Sequence, residues 1–389
     1  METLELLGML LAVFGPLAWR VWEAWKARHD PGPEPTSRSP LYTIAAAACG
    51  LTDVETRGWR GRRTLDGRAG ELRVRLEQRV KGNHEDSRQF ETRIAVERAG
   101  GAVPIMLRRE SRGLLERDAS AREIEIGDKG FDDDFHVTGP HTYVRALLDG
   151  PTRRLLRTLL LEIDLEVDRG QLRGALPVTT DWDQHERVLA HMLSLLLDAA
   201  RRLERPRDVA RRLADNARLD PLPEVRLQSL LTLVREYPER PATDEALLAA
   251  CADTSDWIRV RAATALGARG RATLLEVATR DPPDDAAAAQ AITVLGEGLP
   301  PEHVREILGR ALRTRQEATV RACLIALAHR GDDDAVVSIV RVMSLEKGAL
   351  AVAAADALAA TGSAATSASC EWRPPAPSAA WARRPRSLR

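Results

Sequence analysis

"IRVRAATALGARG", residues 258–270, decides how this chain is read. Ile258, Ala262, Ala263 and Leu266 recur at the spacing of one helix face, not at the alternation of a strand. Gly270 then supplies the left-handed backbone that ends a helix. The pattern returns at "VRLQSLLTLVREYP" (225–238), "AAAAQAITVLGEG" (286–298), "ATVRACLIALAHRG" (318–331) and "ALAVAAADALAATG" (349–362). Gly270, Gly298, Gly331 and Gly362 stand 28, 33 and 31 residues apart, a period that indicates stacked supersecondary units. Between them, "TDEALLAACAD" (243–253), "RATLLEVATRD" (271–281), "PEHVREILGRAL" (301–312) and "DDAVVSIVRVM" (333–343) supply a further amphipathic helix per unit. One helix pair cannot bury its own apolar face. Neighbours must therefore stack, and Ala at the contacts lets helices approach closely.

The repeating VR…ALG…G string, clearest at Ile258–Gly270, resembles a HEAT-repeat array, an armadillo-like architecture, over residues 222–362. The resemblance implies an all-α, HEAT-like α-solenoid. Its second helices would line a concave face that binds another protein, as a scaffold. Outward polar positions on those helices, Arg261, Thr264, Gln290 and Arg321, are the partner-binding candidates; a packing role or inter-repeat hydrogen bonding is the alternative for each.

Upstream, residues 41–180 read as an α+β domain with an antiparallel sheet. "LYTIAAAACGL" suggests a short helix ended by Gly50, and "ELRVRLEQRV" (71–80), "QFETRIAVE" (89–97) and "VPIMLRRE" (103–110) have strand alternation. "IDLEVDRGQLRGAL" (163–176) predicts a hairpin turning at Asp168–Gly170, while "TYVRALLDG" and "TRRLLRTLL" have helical period. In "GDKGFDDDFHVTG" (127–139), Phe131 and Phe135 anchor a turn into a strand and Asp132, Asp133 and Asp134 stay solvated. Three adjacent carboxylates point in different directions, which argues against a metal site shared with His136. Residues 181–221 form connecting helices, continuous from Asp181 to Arg218.

The apolar run "LLGMLLAVFGPLAW" (6–19), with Glu2 and Glu5 before it and Arg20, Lys26 and Arg28 after it, predicts a single N-terminal membrane-anchor helix over 1–28. Its flanks put the main body in the cytoplasm of a bacterium, beneath the inner membrane. A Pro-rich linker, 29–40, follows. The anchor and the Phe131–Phe135 string also resemble the N-terminal region of membrane-anchored bacterial proteins that carry C-terminal HEAT repeats, which brings no known activity. The tail, 363–389, fits no secondary structure and is expected to be disordered. Read from the third base of the Ser367 codon, with G or C in free third positions, it encodes approximately Gly-Val-Val-Arg-Val-Ala-Ala-Ala-Gly-Ala-Leu-Gly-Gly-Leu-Gly. That is another second helix, so the tail reads as a repeat translated out of frame.

Lys+Arg and Asp+Glu both total 57, so no net field draws the chain to nucleic acid. Cys49, Cys251, Cys323 and Cys370 have no zinc spacing, and His185 and His191, expected at the surface or a boundary, have no HExxH. Phosphate-cradling, dinucleotide and nucleophile-elbow motifs are absent, so the reading is non-catalytic with no cofactor, metal or small-molecule ligand. The alternative is a nucleic-acid-binding helical-repeat protein using "ARRLERPRDVARRLADNAR" (200–218). Glu204, Asp208 and Asp215 interrupt that charge and no aromatic is there to stack on a base.

Overall fold

The structure is a computed structural model, and it describes residues 42–59, 62–81, 89–98, 103–109, 123–168, 170–178, 182–281 and 284–367. The expected anchor and linker, and residues 368–389 of the tail, lie outside them. Two compact units divide after Ala246.

The first unit is α+β. Its antiparallel sheet contains β1 (Thr52–Trp59), β2 (Arg62–Ala69), β3 (Leu72–Lys81), β4 (Gln89–Arg98), β5 (Met106–Arg109), β6 (Phe135–Thr138), β7 (Glu166–Asp168) and β8 (Gln171–Pro177), in the order β1-β2-β3-β4-β8-β7-β5-β6. The β7–β8 hairpin turns where Gly170 takes φ +84°, as its sequence predicts. Alternation along β3 and β4 pairs Val74 with Val96 and Leu76 with Ile94 on the buried face. Arg75, Arg93 and Glu97 fall on the other face, and Arg75 donates to Asp66 of β2 at 2.7 Å.

Seven helices belong to this unit among the described residues: α1 (Thr43–Ala48), α2 (Lys129–Asp132), α3 (His141–Leu147), α4 (Gly150–Glu162), α5 (Trp182–Arg202), α6 (Val209–Leu219) and α7 (Pro223–Glu236). α5 packs on β4 and β8 through a stripe that includes Leu189, Met192, Leu193 and Leu196. His185 stands four residues before Leu189 on that stripe. It is therefore buried, not at the surface or a boundary as expected. His191 is exposed. Glu186 accepts from the backbone N–H groups of Tyr42 and Ile44, at 2.8 and 2.9 Å, and so caps α1.

Two further expectations are corrected here. The helix foreseen from Asp181 to Arg218 breaks after Arg202, because Pro206 cannot continue it, and α6 restarts behind Asp208, which accepts from Arg211 N–H at 3.0 Å. Asp132 is only partly solvated: it is half-buried, its carboxylate accepts from Ile126 and Gly127 N–H, both at 3.0 Å, and its burial raises its pKa. Phe131 and Phe135 are buried and stacked at 4.7 Å, as the turn requires. Helix α7, from the first of the repeating strings, contributes Val225 to this unit's core.

The second unit is helical. After α8 (Pro241–Ala250), within which the units divide, come α9 (Asp256–Leu266), α10 (Arg271–Thr279), α11 (Asp285–Leu295), α12 (Pro301–Thr314), α13 (Glu317–Arg330), α14 (Asp333–Leu345) and α15 (Ala349–Ser367). From α9 onward one core runs through them, from Val260 and Ala263 through Ala291, Ile292 and Cys323 to Ala354 and Ala357. The sequence neighbours α9–α10, α10–α11, α12–α13, α13–α14 and α14–α15 pack together, and α9 also meets α11, α11 meets α13 and α13 meets α15.

The helix-ending glycines differ from expectation in three of four places. Left-handed φ falls at Gly267 (+60°) and Gly296 (+50°), and short 3-10 turns carry the chain on to Gly270 and Gly298. Gly331 (+62°) ends α13 as foreseen, whereas α15 runs through Gly362 to Ser367. The ALG and VLG strings place a glycine one turn earlier, and the first glycine that can relieve the left-handed strain takes the cap.

Candidate functional site

Helices α9, α11 and α13 place the expected interface residues at equivalent positions. Counting back from Gly267 and Gly296 sets Arg261 opposite Gln290, and the shared Val-Arg-Ala string sets Arg321 opposite both. Arg261 stands between buried Val260 and Ala262, and Arg321 between buried Val320 and Ala322; Gln290 has half-buried Ala289 before it and buried Ala291 after it. With its inward neighbours committed to the core, each of the three faces away from it. Arg261 and Arg321 are exposed and Gln290 is half-buried.

Their local chemistry differs. The Arg261 guanidinium carbon lies 4.7 Å from the Trp257 ring centroid, a cation–π contact that holds the charge against its own helix. Thr264 is exposed but donates to Val260 O at 2.7 Å, so its hydroxyl is used within the helix; Thr293 does the same to Ala289 O at 2.8 Å. Arg321 shares a helix face with Ile325, which is 55% exposed, and Val352 stands at the equivalent place on α15, 61% exposed. These two apolar positions escaped the sequence reading. Setting Gly362 opposite Gly331 would have placed Val352 opposite Arg321, and Ile325 follows Arg321 one turn later.

Polar contacts fix how the helices meet. Asp285 accepts from Ala318 and Thr319 N–H, at 3.1 and 2.8 Å, so the start of α11 caps the start of α13. Arg310 on α12 donates to Ala278 and Thr279 carbonyls at the end of α10, and Arg330 donates to Leu299 O. An arginine on a helix C-terminus meets both its unpaired carbonyls and its negative dipole end. The Cys323 thiol, buried in this core, has its pKa pushed up to about 12 by desolvation; a thiol so held is packing, not a nucleophile.

The other sequence candidates disperse. Asp133 pairs with Lys129 at 3.1 Å and Asp134 with Arg157 at 2.7 Å, while His136 lies 3.5 Å from Glu123. Among the described residues no group of three His, Cys, Asp or Glu could hold a metal. In the Arg-rich stretch, Arg202 pairs with Asp198, Arg211 with Asp215 and Glu245, Arg212 with Asp149, and Arg218 with Asp215. Its charge is largely spent on neighbouring carboxylates. No helix among the described residues is long and apolar enough to cross a membrane. In comparisons with protein-family models, with curated proteins and with solved structures, nothing matches this chain.

Proposed function

We propose that the helices from α8 onward form a HEAT-like α-solenoid and that the protein is a non-catalytic scaffold binding another protein through the α9–α11–α13–α15 row. One observation carries the reading: Arg261, Gln290, Arg321 and Val352 recur at equivalent outward positions on helices that meet in chain order. Arginine set beside exposed aliphatic groups suits a protein partner, because interfaces favour Arg and apolar contact at their centres. The N-terminal run at 6–19 would hold this scaffold at the bacterial inner membrane with its body in the cytoplasm.

A photo-crosslinking residue at position 325 or 352 in the full chain, expressed in its native host, tests the interface. One discrete adduct is expected, lost when Arg261 and Arg321 are both changed to Glu. An adduct insensitive to that double change, or none from either position, overturns the proposal.

A further inference from the structure

The first unit contains a cleft of about 880 Å³ between the extended segment at 123–127, the start of α3 and the C-terminal half of α7. That volume is in the range of small-ligand pockets. Gly139, on its wall, has φ +142°, and a Cβ there would come within 2.8 Å of Pro104 O, so this stretch of wall is bare backbone.

Most charges in the cleft are partnered or solvated. Arg235 donates through Nε to Glu236 Oε1 at 2.7 Å, and its Nη2 lies 2.6 Å from His141 Nε2, which makes that ring nitrogen the acceptor. Glu123 and Glu125 are exposed on the rim. Arg145 is different. Its Nη1 is buried and meets no protein acceptor among the described residues. Burial, and secondarily the like charge of Arg235, act against its protonated form. A guanidinium nonetheless keeps its proton, so Nη1 is a donor without an acceptor on a side chain that is only half-buried and lines the cleft. Buried donors left this way in a native fold call for an explanation.

We propose that this cleft binds a small carboxylate-bearing molecule, with the carboxylate received by Arg145 and Arg235 adding positive charge from the α7 side. A guanidinium suits the planar carboxylate fork. Phosphate fits less well, since a second negative charge would be repelled by Glu123, Glu125 and Glu236. The site is separate from the solenoid reading and stands or falls without it. It also departs from the sequence expectation of no small-molecule ligand.

The test uses the full chain in detergent at constant ionic strength, titrated separately with acetate, succinate, L-glutamate and inorganic phosphate, and read by calorimetry and thermal unfolding. At least one carboxylate should saturate in the millimolar range or tighter, ahead of phosphate. Arg145→Met should weaken that binding by about tenfold or more, yet not lower the melting temperature of the ligand-free protein, because a partly buried guanidinium that desolvation and Arg235 disfavour gives way to an apolar chain of similar length. Arg145→Lys keeps the charge but loses the fork, and should also bind more weakly; it decides the matter if the Met variant does not fold. The proposal is overturned if none of the three carboxylates saturates, if phosphate binds at least as tightly, or if a folded Arg145 variant keeps wild-type affinity.

Discussion

Single residues carry the sharpest consequences. At Gly270 a Cβ would overlap the Ala263 carbonyl and stand 2.5 Å from Ala263 Cα, backbone that has nowhere to move. At Gly298 the nearest atom, at 2.7 Å, is the far end of Arg271, a flexible side chain that can swing aside. Gly270→Ala should therefore destabilise the second unit by roughly 2 kcal/mol or more, and Gly298→Ala by about 1 kcal/mol or less, as measured by urea unfolding. In the first unit Arg153 is buried, donating to Asp128 at 2.8 Å, to both Asp220 oxygens at 3.0 Å and to Leu148 O at 2.7 Å. Arg153→Met would strand the buried Asp220 carboxylate and should cost about 3–5 kcal/mol. His185, sharing a 2.9 Å hydrogen bond with Thr92, has its pKa lowered by desolvation to about 4, against 6.5 for the free side chain. Because the folded state resists a proton that the unfolded chain accepts, this stabilisation is intact above pH 6.5. It fades as pH falls toward 4, by about 3 kcal/mol in all. Denaturant titrations at pH 7 and pH 4.5 should show that loss, and His185→Phe should reduce it.

At the scale of elements, the caps join one helix to another. Asp285→Ala removes the acceptor for two N–H groups at the start of α13 and should cost about 1–2 kcal/mol, with Asp285→Asn costing less; thermal unfolding of the two variants checks the order. Such links run between residues far apart in sequence, and this marks the limit of what could be read beforehand. Strands β3 and β4 were legible because one face is buried and the other is charged, so their side chains alternate. Strands β1 and β2 were not: β1 lies at the sheet's edge, its side chains described from Thr52 to Arg57 are all exposed, and "TDVETRGW" has no apolar alternation to display. The exposure of Arg261 and Arg321 was legible because the same Val-Arg-Ala string recurs in α9 and α13. The Arg145 cleft was not, since it joins 123–145 to 228–236 and no local pattern records which helix end will meet which loop.

For the molecule as a whole, the two units imply different unfolding. The first closes around one sheet and should unfold as a block. In the second, contacts run mainly between near neighbours in sequence; under the proposed solenoid, stability would be a sum over helix pairs, and α14 and α15, where Val337, Leu345 and Val352 are 61–67% exposed, should exchange their amide hydrogens first. Hydrogen exchange that is uniform from α9 to α15 would contradict this. The most direct measurement is an in-frame excision of residues 256–284, which joins Ser255, the residue before α9, to Asp285, the first residue of α11. If the helices stack in chain order on a shared interior, the shortened protein should fold, keep its helicity per residue by circular dichroism and unfold cooperatively. A collapsed, non-cooperative or insoluble product would show that the helical unit is a closed globule, in which each helix depends on all the others.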